Sequence, residues 1–101
     1  MPASKATLAV TATPNPAATE DMQSYVSQVG PLIVQYKGEV LHRGKVTHVI
    51  NGEPDFAILL LAQFDSETTI KALFDSPEYA ALKPARDKGF KSMNIVISTT
   101  M

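Results

Sequence analysis

The sequence predicts a single α+β domain over residues 1–101, with its elements in the order β-α-β-β-α-β. Three observations predict this class. A chain of 101 residues has room for one hydrophobic core, and a hydrophobic fraction of 45% is enough to fill it. Four short segments are rich in β-branched or apolar residues, which is typical of strands. Two longer segments repeat apolar residues every three or four positions, which is typical of helices.

The first strand and the first helix meet at a pair of prolines. The strand is predicted over Ala6–Thr13 and should end at Pro14, because proline cannot donate to a strand ladder. Asn15 is the expected N-cap of the helix, with Pro16 at the first helical position. The apolar residues from Met22 to Tyr36 then follow one helical face.

Glycine and proline predict where the next elements break. Gly30-Pro31 should kink or split the first helix, and Gly38 should end it. The second strand is predicted over Glu39–Ile50 with an irregularity at Gly44, and Asn51–Asp55 is a turn.

The second half of the chain repeats the strand and helix signals. Phe56–Phe64 is the most apolar stretch and should be a central strand. Ser66 and Ser76 are expected N-caps of two consecutive helical pieces. Asp87–Gly89 is predicted to be a loop, and Met93–Thr99 the last strand. This order corresponds to the ferredoxin-like split βαβ arrangement, in which both helices lie on one face of an antiparallel sheet.

The third predicted strand indicates that both faces of the sheet are covered. If one face met water, this strand would alternate apolar and polar residues, but Ile58 to Leu61 are apolar in succession. Since the helices cover one face only, a second copy of the sheet is the simplest cover for the other face. The charged fraction of 19%, against about 25% for an average soluble domain, also favours a homodimer.

Composition excludes several other partners. The net charge is −1 and no basic tract is present, so we expect no binding to nucleic acid. No apolar run approaches the ~20 residues that span a bilayer, and no secretory signal is apparent, so we expect a cytoplasmic protein without membrane association. Cysteine is absent, which excludes disulfides and thiolate metal sites. No phosphate-binding loop or nucleophile elbow appears, so no cofactor is expected.

Several local motifs resemble a bacterial family known as domain of unknown function 1330, within the dimeric α/β-barrel superfamily. The matching motifs are Tyr36–Gly38, Leu41–Gly44, Phe64–Ser66 and Phe74–Tyr79, with Arg86 beyond them. The resemblance covers roughly Leu8 to Ile97. It implies two ferredoxin-like subunits joined sheet to sheet into a barrel, and it brings no established reaction. Related superfamily members include monooxygenases, heme-handling proteins and lyases that act on small aromatic or carbonyl compounds.

Arg43 is the first candidate ligand-binding residue. It lies late in the second strand within the Arg-Gly motif, where a guanidinium can pair bidentately with a carboxylate. The alternative is a structural ion pair with Glu39, Asp65 or Glu78. Strand alternation places the neighbouring His42 on the opposite face.

His48 is a second candidate, because a histidine can act as a general base near neutral pH. The alternative, a histidine that faces water, is the commoner outcome for a hairpin strand. No tight cluster of His, Asp and Glu accompanies it in the sequence, so we expect no metal site.

Tyr36, Tyr79 and Arg86 complete the candidate ligand-binding residues. Tyr79 and Arg86 are two helical turns apart and lie on one face if Pro84 does not break the register. They would then line a cavity between helix and sheet together with Tyr36. The alternative is that Tyr79 packs in the core and Arg86 covers the helix edge.

Two functions are consistent with these residues. The first is a small-molecule-binding protein or cofactorless enzyme, with a small carbonyl, carboxylate or aromatic ligand held between the helices and the sheet. The second is a structural or regulatory homodimer whose only activity is association. A concave pocket next to Arg43 would favour the first function, and a fully packed interior would favour the second.

Overall fold

The computed structural model describes residues 5–100, which form a four-stranded antiparallel sheet packed against helices. The strands are β1 (Ala6–Pro14), β2 (Glu39–Lys45), β3 (Ile58–Phe64) and β4 (Phe90–Thr99). They lie in the order β2-β3-β1-β4, and each neighbouring pair is antiparallel. The predicted ferredoxin-like βαββαβ fold is therefore confirmed, with β3 and β1 in the centre of the sheet.

Four α-helices follow the strands in the predicted order. They are α1 (Thr19–Gln35), α2 (Glu67–Phe74), α3 (Pro77–Ala80) and α4 (Lys83–Gly89), and a short 3-10 turn (Pro16–Ala18) precedes α1. Within the described chain, none of these helices is long and apolar enough to cross a membrane.

The predicted N-caps are confirmed at three positions. The Asn15 side chain accepts a hydrogen bond from the Ala17 amide at 3.1 Å, at the start of the 3-10 turn. Ser66 Oγ accepts from the Thr69 amide at 3.2 Å, and Ser76 Oγ accepts from the amide of Tyr79 at 3.1 Å. Each of these bonds satisfies an amide that has no partner inside its own helix.

The first helix continues where the sequence predicted an interruption. Helix α1 runs through Gly30 and Pro31, so of the two predicted outcomes, a kink or a split, the split is wrong. Leu32 and Ile33, directly after the proline, are buried and hold the last turn against the core.

Gly38 follows the end of α1 but does not adopt the left-handed conformation expected of a helix stop. Lys37 takes that conformation instead, with φ of 63°. The glycine is required for a different reason, because a Cβ at this position would lie 2.5 Å from a ring carbon of Phe64. The prediction that the helix ends here is correct, but its stated cause is wrong.

The second strand is shorter than predicted and its irregularity lies elsewhere. β2 ends at Lys45 rather than Ile50, although the Val46 amide still donates to the Ala57 carbonyl at 2.8 Å. The register shifts at Leu41, not at Gly44. A bulge places one extra residue in the edge strand without disturbing the rest of the sheet.

The predicted loop at Asp87–Gly89 is wrong, because these residues complete α4. Pro84 lies in the first turn of that helix, where the missing amide hydrogen has no intrahelical partner to lose. Proline thus starts a helix here instead of ending one. Strand β4 follows directly and begins at Phe90 rather than Met93.

The hydrophobic core lies between the helices and one face of the sheet. On this inner face, alternate residues of β1 and β3 are buried, among them Leu8, Ala12, Ala62 and Phe64. Side chains from α1, α2 and α3 pack against them, including Ile33, Leu73 and Tyr79. The opposite face, which we call the outer face, is not covered by any helix of residues 5–100.

Candidate functional site

A cavity of about 100 Å³ lies between α1 and the inner face of the sheet. Its walls include Tyr25, Val29 and Ile33 from α1 and Leu8, Val10 and Leu60 from the sheet. These side chains are almost all apolar, so the cavity favours an apolar occupant over water. We refer to it as the apolar cavity.

Arg43 is the one charged residue that lines the apolar cavity within residues 5–100. It pairs across the strands with Leu60, which places it on the inner face, whereas His42 pairs with Leu61 on the outer face, as alternation predicted. Both Arg43 and Val26, another lining residue, are exposed, so the cavity opens to the surface beside β2.

The guanidinium of Arg43 has no carboxylate partner among the described residues. The ion pairs of residues 5–100 are Lys71–Glu67 and Arg86–Asp87, and Arg43 belongs to neither. The alternative prediction, a structural ion pair for Arg43 with Glu39, Asp65 or Glu78, is therefore wrong. A cation at the opening of an apolar cavity can pair with an anionic group of a ligand.

Tyr25, which lines the cavity, forms a hydrogen-bonded chain with the buried Tyr79 and the half-buried Arg86. The hydroxyl oxygens of Tyr25 and Tyr79 are 2.9 Å apart, and Arg86 Nη1 donates to the Tyr79 hydroxyl at 3.2 Å. The Arg86 guanidinium also lies 5.8 Å from the centre of the Tyr79 ring. Tyr79 and Arg86 are thus in contact, but they lie on the separate helices α3 and α4 and not on one face of a continuous helix.

Tyr79 and Arg86 do not line the apolar cavity, although the sequence predicted that they would line a cavity between helix and sheet. Tyr79 is 1% exposed and belongs to the core, where its ring packs edge-on against Phe74 and Tyr25. It lines neither the apolar cavity nor the cleft described below. For Tyr79, the alternative prediction of a core residue agrees with this position.

Burial controls the protonation of this chain. Burial raises the pKa of the Tyr25 hydroxyl far above its usual range, so Tyr25 stays neutral. For Arg86, burial acts to lower the pKa, but the hydrogen bond to Tyr79 and the attraction of Asp87 outweigh it. The pKa of Arg86 is therefore raised, and the guanidinium remains charged.

A second concavity of about 360 Å³, the polar cleft, lies between the end of α4 and the first residues of β4. Arg86, Asp87, Lys91 and Ser92 line it, together with the apolar side chains of Phe90, Met93 and Ile95. Phe90 and Met93 also line the apolar cavity, so these two side chains separate the cavity from the cleft.

His48 and Tyr36 lie away from both concavities. His48 is exposed in the segment that follows β2, and Tyr36 is half-buried at the end of α1. Neither residue lines the apolar cavity or the polar cleft. The structure therefore places Arg43 in the cavity lining and links Tyr79 with Arg86 behind Tyr25, without His48 and Tyr36. No three His, Asp or Glu side chains of residues 5–100 are placed to hold a metal ion.

Sequence reasoning missed Tyr25, which is the polar side chain that both lines the cavity and joins the hydrogen-bonded chain. In the sequence it is one of several apolar positions on the α1 face. Its environment depends on Tyr79 and Phe90, whose rings contact it edge-on from much later in the chain. A tyrosine rather than a leucine on a core-facing position was the available signal, because a buried hydroxyl needs a partner.

The outer face of the sheet has an apolar centre and polar borders. Leu61, Ala9 and Val96 are directly paired across three strands, and Leu59 lies beside them in β3. We call these four residues the outer apolar band. Val96 is its most exposed member, with 54% of its surface accessible to water. Polar residues flank the band on both sides, namely Thr7, Gln63 and Ser98 in one row and Thr11 and Asn94 in the other.

Solved structures show the same fold at low sequence identity. A protein of unknown function from Rhodopseudomonas palustris aligns with a TM-score of 0.81 at 14% identity, over 97% of this chain and 83% of that one. A dimeric ferredoxin-like protein of unknown function from Bacteroides fragilis gives a TM-score of 0.63 at 16% identity, over 95% and 96% of the two chains. SnoaB, a cofactor-independent oxygenase from Streptomyces nogalater, gives 0.69 at 11% identity, over 98% and 95%.

Sequence comparison identifies the family. No curated protein matches this chain. A family model described as Domain of unknown function (DUF1330) matches residues 8–101, which include the motifs around Arg43 and Tyr79 that carried the resemblance. The chain belongs to the DUF1330 family.

Proposed function

We propose that the protein is a homodimer in which each subunit binds a small, largely apolar ligand in the apolar cavity. The observation that supports this most is the combination of an apolar cavity open to the surface with an unpaired guanidinium at its opening, that of Arg43. Core packing alone does not require an arginine at that position. An apolar ligand with one polar or anionic end fits both features.

The size of the cavity limits the ligand. Its volume of about 100 Å³ is somewhat smaller than the ~150 Å³ apolar cavity that accepts benzene in another protein. A single ring or a short branched chain is the largest body that fits without movement of the walls. Small carbonyl, carboxylate and aromatic compounds meet this limit, and a carboxylate would reach the Arg43 end.

The outer apolar band supports the homodimer. Leu59 and Leu61 are on the face that no helix of the chain covers, and Val96 beside them is largely exposed. An apolar centre with polar borders is the usual anatomy of a protein interface. The Bacteroides fragilis protein of similar fold is dimeric. A second copy of this sheet would remove the band from water and close a barrel.

The cavity also discriminates between the two functions that the sequence left open. A purely structural homodimer would need the outer apolar band but no cavity beneath α1. Catalysis without a cofactor, as in SnoaB, would use the same cavity. Because fold likeness is weak support for a reaction, binding is the activity proposed.

A thermal-shift screen tests the proposal. We expect at least one compound from a panel of small aromatic carboxylates and ketones to raise the melting temperature of the wild-type protein by several degrees at saturating concentration. The Arg43→Ala variant should lose most of the shift given by carboxylates. Lys45→Ala is the matched control, because Lys45 lies on the same strand and is exposed but does not line the cavity. A panel that stabilises neither protein would contradict the proposal, and so would equal shifts in wild type and Arg43→Ala by every carboxylate.

A further inference from the structure

We propose that Tyr25 donates a hydrogen bond to an oxygen of the ligand, so that the apolar cavity selects a neutral carbonyl compound over a hydrocarbon of the same shape. This inference rests on the proposed function and names the ligand class of the same cavity. It assigns a binding role to Tyr25 and positioning roles to Tyr79 and Arg86, which act through it.

The hydrogen-bonded chain of Arg86, Tyr79 and Tyr25 holds more hydrogen-bond donors than acceptors. A guanidinium can only donate, and each tyrosine hydroxyl has a single hydrogen to donate. Arg86 donates to the Tyr79 oxygen, and the two hydroxyl groups share one contact of 2.9 Å. Only one of the two hydroxyl hydrogens can take part in that contact, so the other hydrogen remains without an acceptor. Among the hydrogen bonds of residues 5–100, these hydroxyl groups have no further acceptor, so the chain has one donor in excess.

The positive charge of Arg86 decides which hydroxyl retains the free donor. Because the guanidinium attracts the lone pairs of the Tyr79 oxygen, the Tyr79 hydrogen is favoured to point away from it, towards Tyr25. The chain then runs in one direction, from Arg86 to Tyr79 to Tyr25. Hydrogen bonds aligned in this way strengthen each other, so the Tyr25 hydroxyl becomes a better donor than an isolated phenol.

Tyr25 is the residue of this hydrogen-bonded chain that lines the apolar cavity. Tyr79 is fully buried and lines no cavity described above, whereas Tyr25 is 5% exposed and is part of the cavity wall. Any ligand in the cavity therefore lies beside Tyr25 and not beside Tyr79. Since the raised pKa keeps Tyr25 neutral, it remains a hydrogen-bond donor throughout the physiological pH range.

The surroundings favour a neutral acceptor at this end of the cavity. The neighbouring walls are apolar side chains such as Val29, Leu60 and Phe90, and an anion buried among them would lose much of its hydration. The guanidinium of Arg86 is one tyrosine further away and is already paired with Asp87. A ketone or aldehyde oxygen needs a single donor, which is what Tyr25 provides.

The test compares cyclopentanone with methylenecyclopentane, which has the same shape but no oxygen acceptor. We expect the wild-type protein to bind cyclopentanone about threefold to tenfold more tightly in an NMR titration, as one hydrogen bond between neutral groups allows. The infrared carbonyl stretch of bound ¹³C-labelled cyclopentanone should move to lower frequency than in an apolar solvent. In Tyr25→Phe, the affinity ratio should fall to about one and the frequency should return to the apolar-solvent value.

Two further variants separate the roles. Arg86→Met should reduce both the affinity ratio and the frequency change, because it removes the charge that orients the Tyr79 hydrogen towards Tyr25 and leaves the Tyr25 hydrogen free for the ligand. Tyr36→Phe removes a hydroxyl outside the chain and the cavity, so it should leave both measurements as in the wild type.

The possible failures are distinguishable. If neither compound binds, the proposed cavity function fails. If both bind equally well to the wild type and the carbonyl frequency does not change, the cavity binds ligands but the role of Tyr25 is refuted. An unaltered ratio in a folded Tyr25→Phe protein would refute it as well. If Tyr25→Phe does not fold, the frequency change in the wild type and its reduction in Arg86→Met decide the matter.

Discussion

The inner and outer faces of the same sheet are both apolar, but the chain covers only one of them. On the inner face, Leu8 and Phe64 are buried beneath the helices, and the apolar cavity remains where α1 meets β2. On the outer face, Leu59 and Leu61 alternate with inner-face residues of the same strand and meet no helix. The comparison shows that alternate residues of one strand, β3, contribute to the apolar cavity on one face and to the proposed dimer interface on the other.

The largest expected effect comes from a substitution that disrupts the packing of the inner face. We expect Phe64→Ala to lower the free energy of unfolding by about 3–5 kcal/mol, because it leaves a cavity in the core where Phe64 also contacts Gly38. Urea unfolding followed by circular dichroism measures this. Phe56→Ala is the matched control, because Phe56 is half-buried and precedes the strand, and it should cost much less. Equal losses in the two variants would contradict the assignment of Phe64 to the core.

The next effect breaks the outer face and leaves the inner face intact. We expect Leu61→Glu to dissociate the dimer, because two copies of the charge would meet at the centre of the interface without partners. Analytical ultracentrifugation should give 10.9 kDa for the variant and twice that mass for the wild type. The variant should keep its circular dichroism spectrum, since Leu61 does not belong to the core cluster.

Val34→Glu is the control for this experiment. Val34 is 68% exposed on α1, so the same new charge on that surface should leave the mass unchanged. A wild-type protein that sediments as a monomer at micromolar concentration would contradict the dimer altogether.

A pH dependence sharpens the description of the inner face. The folded state raises the pKa of Tyr25 above its ordinary value of 10.0 in an unfolded chain. Above pH 10 the unfolded chain therefore releases this proton while the folded chain retains it, so the stability falls as the pH rises. The contribution of one such proton is about 1.4 kcal/mol per pH unit.

Urea unfolding at pH 9 and pH 11 measures this dependence. The informative quantity is the difference between the wild type and Tyr25→Phe, because it isolates the contribution of this one hydroxyl. The variant should lose less stability between the two pH values. An identical loss in both proteins would show that Tyr25 ionises in the folded state as it does in the unfolded chain.

The smallest expected effect concerns a helix cap on the covered side. Ser76→Ala should lower the free energy of unfolding by about 1 kcal/mol, because the Tyr79 amide loses its acceptor at the start of α3. Ser76→Thr keeps a hydroxyl that accepts from the Tyr79 amide and donates to the Leu73 carbonyl, so it serves as the rescue variant. If Ser76→Ala unfolds at the same urea concentration as the wild type, the cap contributes nothing measurable.

The fold was predictable because its signals are local. The caps at Asn15, Ser66 and Ser76 act within three residues, and the apolar run of β3 indicates burial on both faces without any knowledge of its partners. Local signals misled where one residue type has two uses. Pro84 was weighed as a break in the helical register although it lies in the first turn of α4, and Gly44 was assigned the irregularity that lies at Leu41.

The candidate site was less predictable because it depends on contacts between distant segments. Arg43 could be singled out from its motif, whereas Tyr79 and Arg86 are hydrogen-bonded from separate helices and not from one face of a continuous helix. The participation of Tyr25 depends on a hydroxyl 54 residues later in the chain, which no periodicity within α1 can indicate. His48 and Tyr36 have suitable chemistry, but both lie outside the cavity because β2 ends before His48 and α1 ends before Tyr36.

The most direct test of the two-face account is a methyl NMR titration of the dimer with cyclopentanone. The account predicts that the resonances of Leu8, Ile33 and Leu60, which line the apolar cavity, change with increasing ligand. The resonances of Leu59, Leu61 and Val96 on the outer face should stay in place. Changes confined to the outer-face methyl groups would contradict the account, because they would place the ligand where the second subunit is proposed to bind.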